Sequence, residues 1–242
     1  MNQLSVKSNL PLGIAWLWVK ASFVIFREKP INFMFFALTF VVFSMLPFMG
    51  AFFATLIIVR MLFSANSVLE NNSFGLSLNL KEIFAKRNVV SFAIFSVGYD
   101  LLSMGIMKEV MSSWGFDSAT PETMVADHRI IYLMIGMSLL RAIIFGISVV
   151  IVAFNPEVGV FSALKLNWQF IIRNVAVVIL GFFLLMPFLL IPLYLMVMVA
   201  LSVNNVVLFT IALIILAIIM LLFIVITTLF AFKMYQDGII HE

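Results

Sequence analysis

Asp100 and Arg141 are the residues whose types and positions suggest chemistry inside a membrane. Each is the charged residue in the interior of an apolar stretch, residues 88–107 and 129–154. An ionisable side chain in hydrocarbon is costly, so it is usually paired or functional. At about 1.5 Å per helical residue, both lie near the middle of a core about 30 Å thick. The sequence therefore predicts that the two side chains can meet.

The predicted pair has two interpretations. It can be a structural ion pair that fixes how two helices pack, or it can line a path for a substrate or a proton. Both require that the first stretch continues past Tyr99, because a helix that ended earlier would leave Asp100 at the outer membrane surface.

Other reactive groups are sparse. Glu122, Asp127 and His128 have no recognised metal-ligand spacing, so no metal site is predicted. His241 is expected to be solvated. The serines and threonines have no histidine or lysine partner at a readable spacing, and the 242 residues include no cysteine. No phosphate-binding or dinucleotide fingerprint is present, so we predict no catalytic residues and no cofactor.

Composition indicates the setting of these residues. The chain is 64% hydrophobic and 10% charged, against about 25% charged in an average soluble domain. Since 25 charged residues cannot cover a soluble surface of this size, lipid must do so. The net charge of +3 comes from dispersed bases, so the bilayer and not a nucleic acid is the predicted partner. No cleaved signal peptide is predicted at the amino terminus.

The fold class predicted from these patterns is an all-α integral membrane protein with six transmembrane helices in a single domain. Prolines and asparagines separate the apolar runs, and Pro187 and Pro192 predict a kink or break in the fifth. The predicted spans are residues 31–47, 48–65, 88–107, 129–154, 174–201 and 206–232, with an outer loop over 108–128.

Three amphipathic segments are predicted to lie at the membrane surface as short helices. The first covers residues 14–29 and the third covers residues 156–173. The second is a short helix that begins at Asn79. Their side chains could lie among headgroups or dock a partner protein. These candidate interfacial residues are Trp16, Trp18, Lys20, Arg27, Lys165, Trp168, Gln169 and Arg173.

The distribution of Lys and Arg predicts orientation. With the amino terminus inside, nearly all bases lie in cytoplasmic segments and only Lys108 and Arg129 fall outside. Both termini and the three interfacial helices are therefore predicted to be cytoplasmic. An interfacial helix followed by a hairpin occurs at 14–65 and again at 156–232, which suggests an architectural duplication.

Several motifs occur in an order that resembles a widespread family of uncharacterised proteobacterial inner-membrane proteins. They are Trp16-x-Trp18, Phe26-Arg27-x-x-Pro30, Leu46-Pro47-x-x-Gly50, Phe154-Asn155-Pro156 through Ala163-Leu164, Arg173-Asn174, and Tyr235-x-Asp237. The chain departs from the family pattern at Asn155-Pro156-Glu157, where a short apolar-proline turn is usual. The resemblance implies the topology and a bacterial inner-membrane location, and it implies no activity.

We expect a non-enzymatic protein that serves as a structural, assembly or accessory subunit of a larger membrane complex, with membrane-protein partners. The alternative is a small permease or lipid-handling protein that uses the Pro-containing fifth span and the Asp100/Arg141 pair. An intramembrane enzyme is a third, less favoured reading.

Overall fold

The computed structural model of the protein describes residues 4–47, 49–70, 80–116, 128–188, 190–191, 194 and 206–241. These residues are almost wholly helical. The helices are α1 Gly13–Glu28, α2 Pro30–Ser44, α3 Gly50–Leu69, α4 Leu80–Phe84, α5 Arg87–Ser113, α6 His128–Phe145, α7 Ser148–Phe154, α8 Val160–Arg173, α9 Val175–Leu185 and α10 Val206–Gly238.

The fold is that of an all-α membrane protein. Among the described helices, three are long and apolar enough to cross a bilayer: α3, α5 and α10. The pair α8 and α9 passes the same criterion together but is bent by 90°. Helix α2 has 15 residues, about 22 Å at 1.5 Å per residue, which is shorter than a straight span. Six crossings therefore remain a prediction.

Helices α2 and α3 pack as the predicted hairpin. Helix α2 ends at Ser44 and α3 begins at Gly50, close to the predicted boundary between residues 47 and 48. The turn needs a glycine because a β-carbon at Gly50 would collide with the carbonyl oxygen of Ser44. This close approach leaves no room for a side chain at the turn.

The third and fourth predicted spans differ from the observed helices. Helix α5 continues six residues past Met107, so part of the predicted outer loop is helical. The fourth segment is interrupted between α6 and α7 and does not form one continuous helix. In the fifth, α9 ends at Leu185, before Pro187, and Pro192 lies outside the described residues.

A two-stranded antiparallel sheet joins a segment near each end of the described chain, and no sequence pattern predicted it. Strand β1, Leu4–Val6, pairs with β2, Ile239–His241, in the register Ser5 to Ile240. The backbone N–H of Lys7 also donates to the carbonyl of Gly238 over 2.9 Å. We call this end of the bundle the terminal end.

One part of the core lies where α1 packs against α9 and α10. Trp18 is fully buried, with its ring 6.3 Å from that of Phe170 and 5.7 Å from that of Phe230. Its indole Nε1 donates to Asp237 Oδ2 over 2.8 Å. Trp18 is thus a packing residue inside the protein, although the sequence suggested an interfacial or docking residue.

Candidate functional site

Asp100 and Arg141 meet directly. Arg141 Nη1 donates to Asp100 Oδ1 over 2.6 Å. Asp100 lies thirteen residues from either end of α5, and Arg141 lies one turn before the end of α6. The Asp100 side chain is 23% exposed and that of Arg141 is 44% exposed, so the guanidinium faces an opening in the bundle.

Aromatic rings surround one side of this pair. The guanidinium carbon of Arg141 lies 5.6 Å from the centre of the Phe145 ring, a cation–π distance. The Tyr99 ring contacts the same ring at 5.2 Å. Within the described part of the chain, Tyr99 OH and the neighbouring Ser96 Oγ are buried without a hydrogen-bond partner. The pair therefore lies beside polar groups whose hydrogen-bonding capacity is unused.

The interruption that follows Arg141 is held by Asn167 of α8. Its Nδ2 donates to the carbonyls of Ile143 and Ile144, at 2.7 and 3.2 Å, and its Oδ1 accepts from the N–H of Ile147 at 3.0 Å. These groups lose their helical partners where α6 stops. An amide side chain carries both a donor and an acceptor, so Asn167 can satisfy all three groups.

Asn167 is not among the residues predicted from the sequence for this helix, which are Lys165, Trp168, Gln169 and Arg173. Two signals could have revealed it: a glycine, Gly146, inside an apolar run, and an asparagine on the apolar side of α8. The structure shows why these residues occur together. A β-carbon at Gly146 would lie 2.5 Å from Asn167 Oδ1.

A cleft of about 400 Å³ lies beside the interruption, within the range of ligand pockets. Helices α3, α6, α7, α8, α9 and α10 all contribute to its walls. The residues that matter for its chemistry are Arg141, Phe145, Asn167, Phe182, Thr228 and Phe230. The cleft is mostly apolar, and Arg141 is the ionisable side chain among the described residues that line it.

Asn174 links the bend between α8 and α9 to the amino-terminal segment. Its Oδ1 accepts from the N–H of Leu10 over 3.0 Å, and its Nδ2 donates to the carbonyl of Lys7 over 2.9 Å. Next to it, Arg173 Nη1 donates to the carbonyl of Val6 over 3.0 Å. Arg173, a predicted interfacial residue, therefore also anchors β1.

A second polar cluster ties the start of α5 to the end of α7. Asn88 Nδ2 donates to the carbonyls of Val152 and Asn155, at 2.7 and 3.0 Å. Asn155 Nδ2 donates to Tyr235 OH over 2.9 Å. These bonds close the terminal end of the bundle around α10.

Lys86 sits beside this cluster, just before α5 begins. Its Nζ donates to the carbonyl of Ala153 over 3.2 Å and lies 4.1 Å from the centre of the Phe63 ring. Burial of the ammonium lowers the pKa of Lys86, and the Glu82 carboxylate partly offsets that effect. These contacts make Lys86 part of the packing at the terminal end.

Helix α8 has a buried face and an exposed face. Ala163, Asn167, Phe170 and Asn174 face the protein. The opposite stripe is exposed, with Phe161 at 79% and Trp168 at 55%, and we call it the α8 stripe. Its members are Phe161, Lys165, Trp168 and Ile172. Gln169 is half-buried beside it.

Helix α1 shows the same division. Ala15, Trp18, Val19 and Ile25 are buried, whereas Trp16, Lys20 and Arg27 are exposed along one side. These three residues form the α1 stripe. Of the eight candidate interfacial residues, Trp18 alone is fully buried.

The residues of the predicted outer loop that were considered as metal ligands are not part of a described site. Glu122 and Asp127 lie outside the described residues, and the side chain of His128 is not described. In the part of the chain that the structure describes, no group of three His, Asp or Glu residues could hold a metal ion. Comparison of the chain with protein-family models, curated proteins and solved structures gives no match.

Proposed function

We propose that this protein is a non-enzymatic structural, assembly or accessory subunit of a larger membrane complex, and that it docks its partner through the α8 stripe. The observation that carries this proposal is a helix that is fixed to the body on one face and exposes aromatic and basic side chains on the other. Trp is among the residues that contribute most binding energy at protein interfaces, and Lys165 adds charge complementarity to an acidic partner surface.

Rigidity supports docking by this helix. Asn167 binds α8 to the interruption between α6 and α7, while Phe170 packs against Trp18. Gly238 lies so close to Phe170 that a β-carbon there would collide with the ring. A helix held at three points loses little entropy when a partner binds, so most of the contact energy contributes to affinity.

The proposed location is the bacterial inner membrane with both termini in the cytoplasm. The β1–β2 pairing supports this proposal, because it brings together Leu4–Val6 and Ile239–His241, the described segments nearest the two termini. Basic residues cluster at or near that end, which favours a cytoplasmic terminal end by the positive-inside rule. They are Lys7, Lys86, Arg87, Arg173 and Lys233.

Gentle detergent extraction of the full chain, followed by mass spectrometry of copurifying proteins, tests the proposal. We expect a defined membrane-protein partner with the wild type and its loss with Trp168→Ala plus Lys165→Glu. The matched control is Phe183→Ala, because Phe183 is 69% exposed on α9 and lies outside the α8 stripe. Elution of the wild type alone and homogeneous would contradict an accessory role.

The cleft favours the second candidate, a small permease or lipid-handling protein. It is lined by six helices and bordered by an interrupted helix, an arrangement that transporters use for binding sites. Under this hypothesis Asp100→Asn and Arg141→Gln each impair transport of a substrate while the protein remains folded.

A further inference from the structure

Arg141 borders two openings at once. It lines the cleft of about 400 Å³ and also a depression of about 230 Å³ between α5 and α6 that includes Tyr99 and Met137. Among the described residues, only its Nη1 has a hydrogen-bond partner, Asp100 Oδ1. A guanidinium carries five N–H donors. Most of its donors are therefore available to a molecule in these openings.

The other polar side chains of the cleft are already satisfied. Asn167 Nδ2 donates to two backbone carbonyls. Thr227 Oγ1 and Thr228 Oγ1 donate within α10, to the carbonyls of Phe223 and Ile224 over 2.8 Å each. Arg141 is thus the group in the cleft that can still donate to a ligand, so the ligand must supply an acceptor.

Charge decides what kind of acceptor fits. The salt bridge with Asp100 makes the pair neutral, so a carboxylate or phosphate at Arg141 would also meet the nearby Asp100 carboxylate. At the depth that the sequence predicts for Arg141, an anionic headgroup would in addition lose its hydration. An uncharged carbonyl oxygen accepts from the guanidinium without either penalty. The walls beyond it, which include Phe145, Phe182 and Phe230, suit an apolar body.

We propose that the cleft binds an uncharged lipid whose polar group is a carbonyl, with that oxygen at Arg141 and the apolar part among the phenylalanines. A quinone and a diacylglycerol both offer this chemistry. The proposed lipid site does not depend on the accessory role. The cleft can hold a lipid that stays bound permanently or a lipid that the protein transports.

Photolabelling of the full-length protein in nanodiscs tests the site. The probe is a diacylglycerol with a diazirine in one acyl chain, and labelled peptides are mapped by mass spectrometry. We expect labels on peptides that line the cleft, and competition by unlabelled diacylglycerol or by a short-chain quinone. Competition by one of these two identifies the source of the carbonyl. Equal competition by phosphatidylglycerol or by a long-chain alkane, or labels only outside the cleft, would overturn the proposal.

Two variants distinguish the contribution of the cleft volume to lipid binding from the contribution of the Arg141 donors. Ala231→Phe fills the cleft and should reduce cleft labelling at least tenfold, whereas Ile94→Phe, on a side chain that is 60% exposed on α5, should leave it unchanged. The double variant Asp100→Leu/Arg141→Leu removes the donors without leaving an unpaired charge. It should weaken binding about tenfold, as expected for loss of a hydrogen bond to a charged group. Labelling at wild-type level in both Ala231→Phe and the double variant would refute the site.

Discussion

Asn167 Oδ1 occupies the space that a β-carbon on Gly146 would need, with only 2.5 Å between the two positions. The same oxygen accepts the N–H of Ile147, and the amide nitrogen donates to two carbonyls of α6. Specific hydrogen bonds to Asn167 therefore hold the interruption between α6 and α7.

Gly146→Ala should destabilise the protein by about 2 kcal/mol, because the new methyl group displaces Asn167 and its hydrogen bonds. The measurement is the midpoint temperature for loss of monodisperse protein in detergent. Gly136→Ala is the matched control, since a β-carbon at Gly136 meets nothing within 4 Å. The control should be neutral or slightly stabilising. Equal midpoints for the two variants would show that the contact does not matter.

The stability of the protein should depend on both charges of the Asp100–Arg141 pair. Asp100→Asn or Arg141→Gln leaves the other charge without its partner at mid-membrane depth, so each should lower membrane abundance and cost about 2 kcal/mol or more. The exchanged pair, Asp100→Arg with Arg141→Asp, should recover much of the abundance if the pair is structural. Quantitative immunoblotting of membrane fractions measures this. Wild-type abundance and function in both single variants would remove the case for either residue.

Removal of the hydroxyl group should change the stability of the protein differently at two tyrosines. Tyr99 OH is buried without a described partner, so Tyr99→Phe should be neutral or stabilising by up to about 1 kcal/mol. Tyr235 OH accepts from Asn155 over 2.9 Å, so Tyr235→Phe should be destabilising by about 1 kcal/mol. Thermal midpoints in the same detergent compare them. A loss of stability in Tyr99→Phe would indicate that this hydroxyl has a partner in the membrane.

The topology can be measured without background labelling because the sequence has no cysteine. Single substitutions Lys7→Cys and Gln236→Cys should react with an impermeant thiol reagent from the same side, the cytoplasmic one. Ser113→Cys, at the end of α5, should react from the opposite side. Labelling of Lys7→Cys and Gln236→Cys from different sides would be incompatible with the β1–β2 pairing, and labelling of both from outside would reverse the proposed orientation.

The sequence by itself determined that lipid surrounds this protein, and it determined the approximate positions of the helices. A chain with 10% charged residues cannot fold in water, and apolar runs interrupted by turn residues must become helices in lipid. The hairpin turn before Gly50 follows from the spacing of residues along the chain, and so does the prediction that Asp100 and Arg141 can meet. Such features depend on local periodicity, which is written directly in the sequence.

Only the tertiary structure decided which side of each helix faces the protein and where the helices break. The buried role of Trp18 depends on Phe170, Phe230 and Asp237, which lie more than 150 residues away in the chain. The break after Phe145 depends on Asn167, which belongs to another helix. Lipid is as apolar as the core, so hydrophobicity does not distinguish the faces of these helices, and long-range hydrogen bonds and close packing determine them.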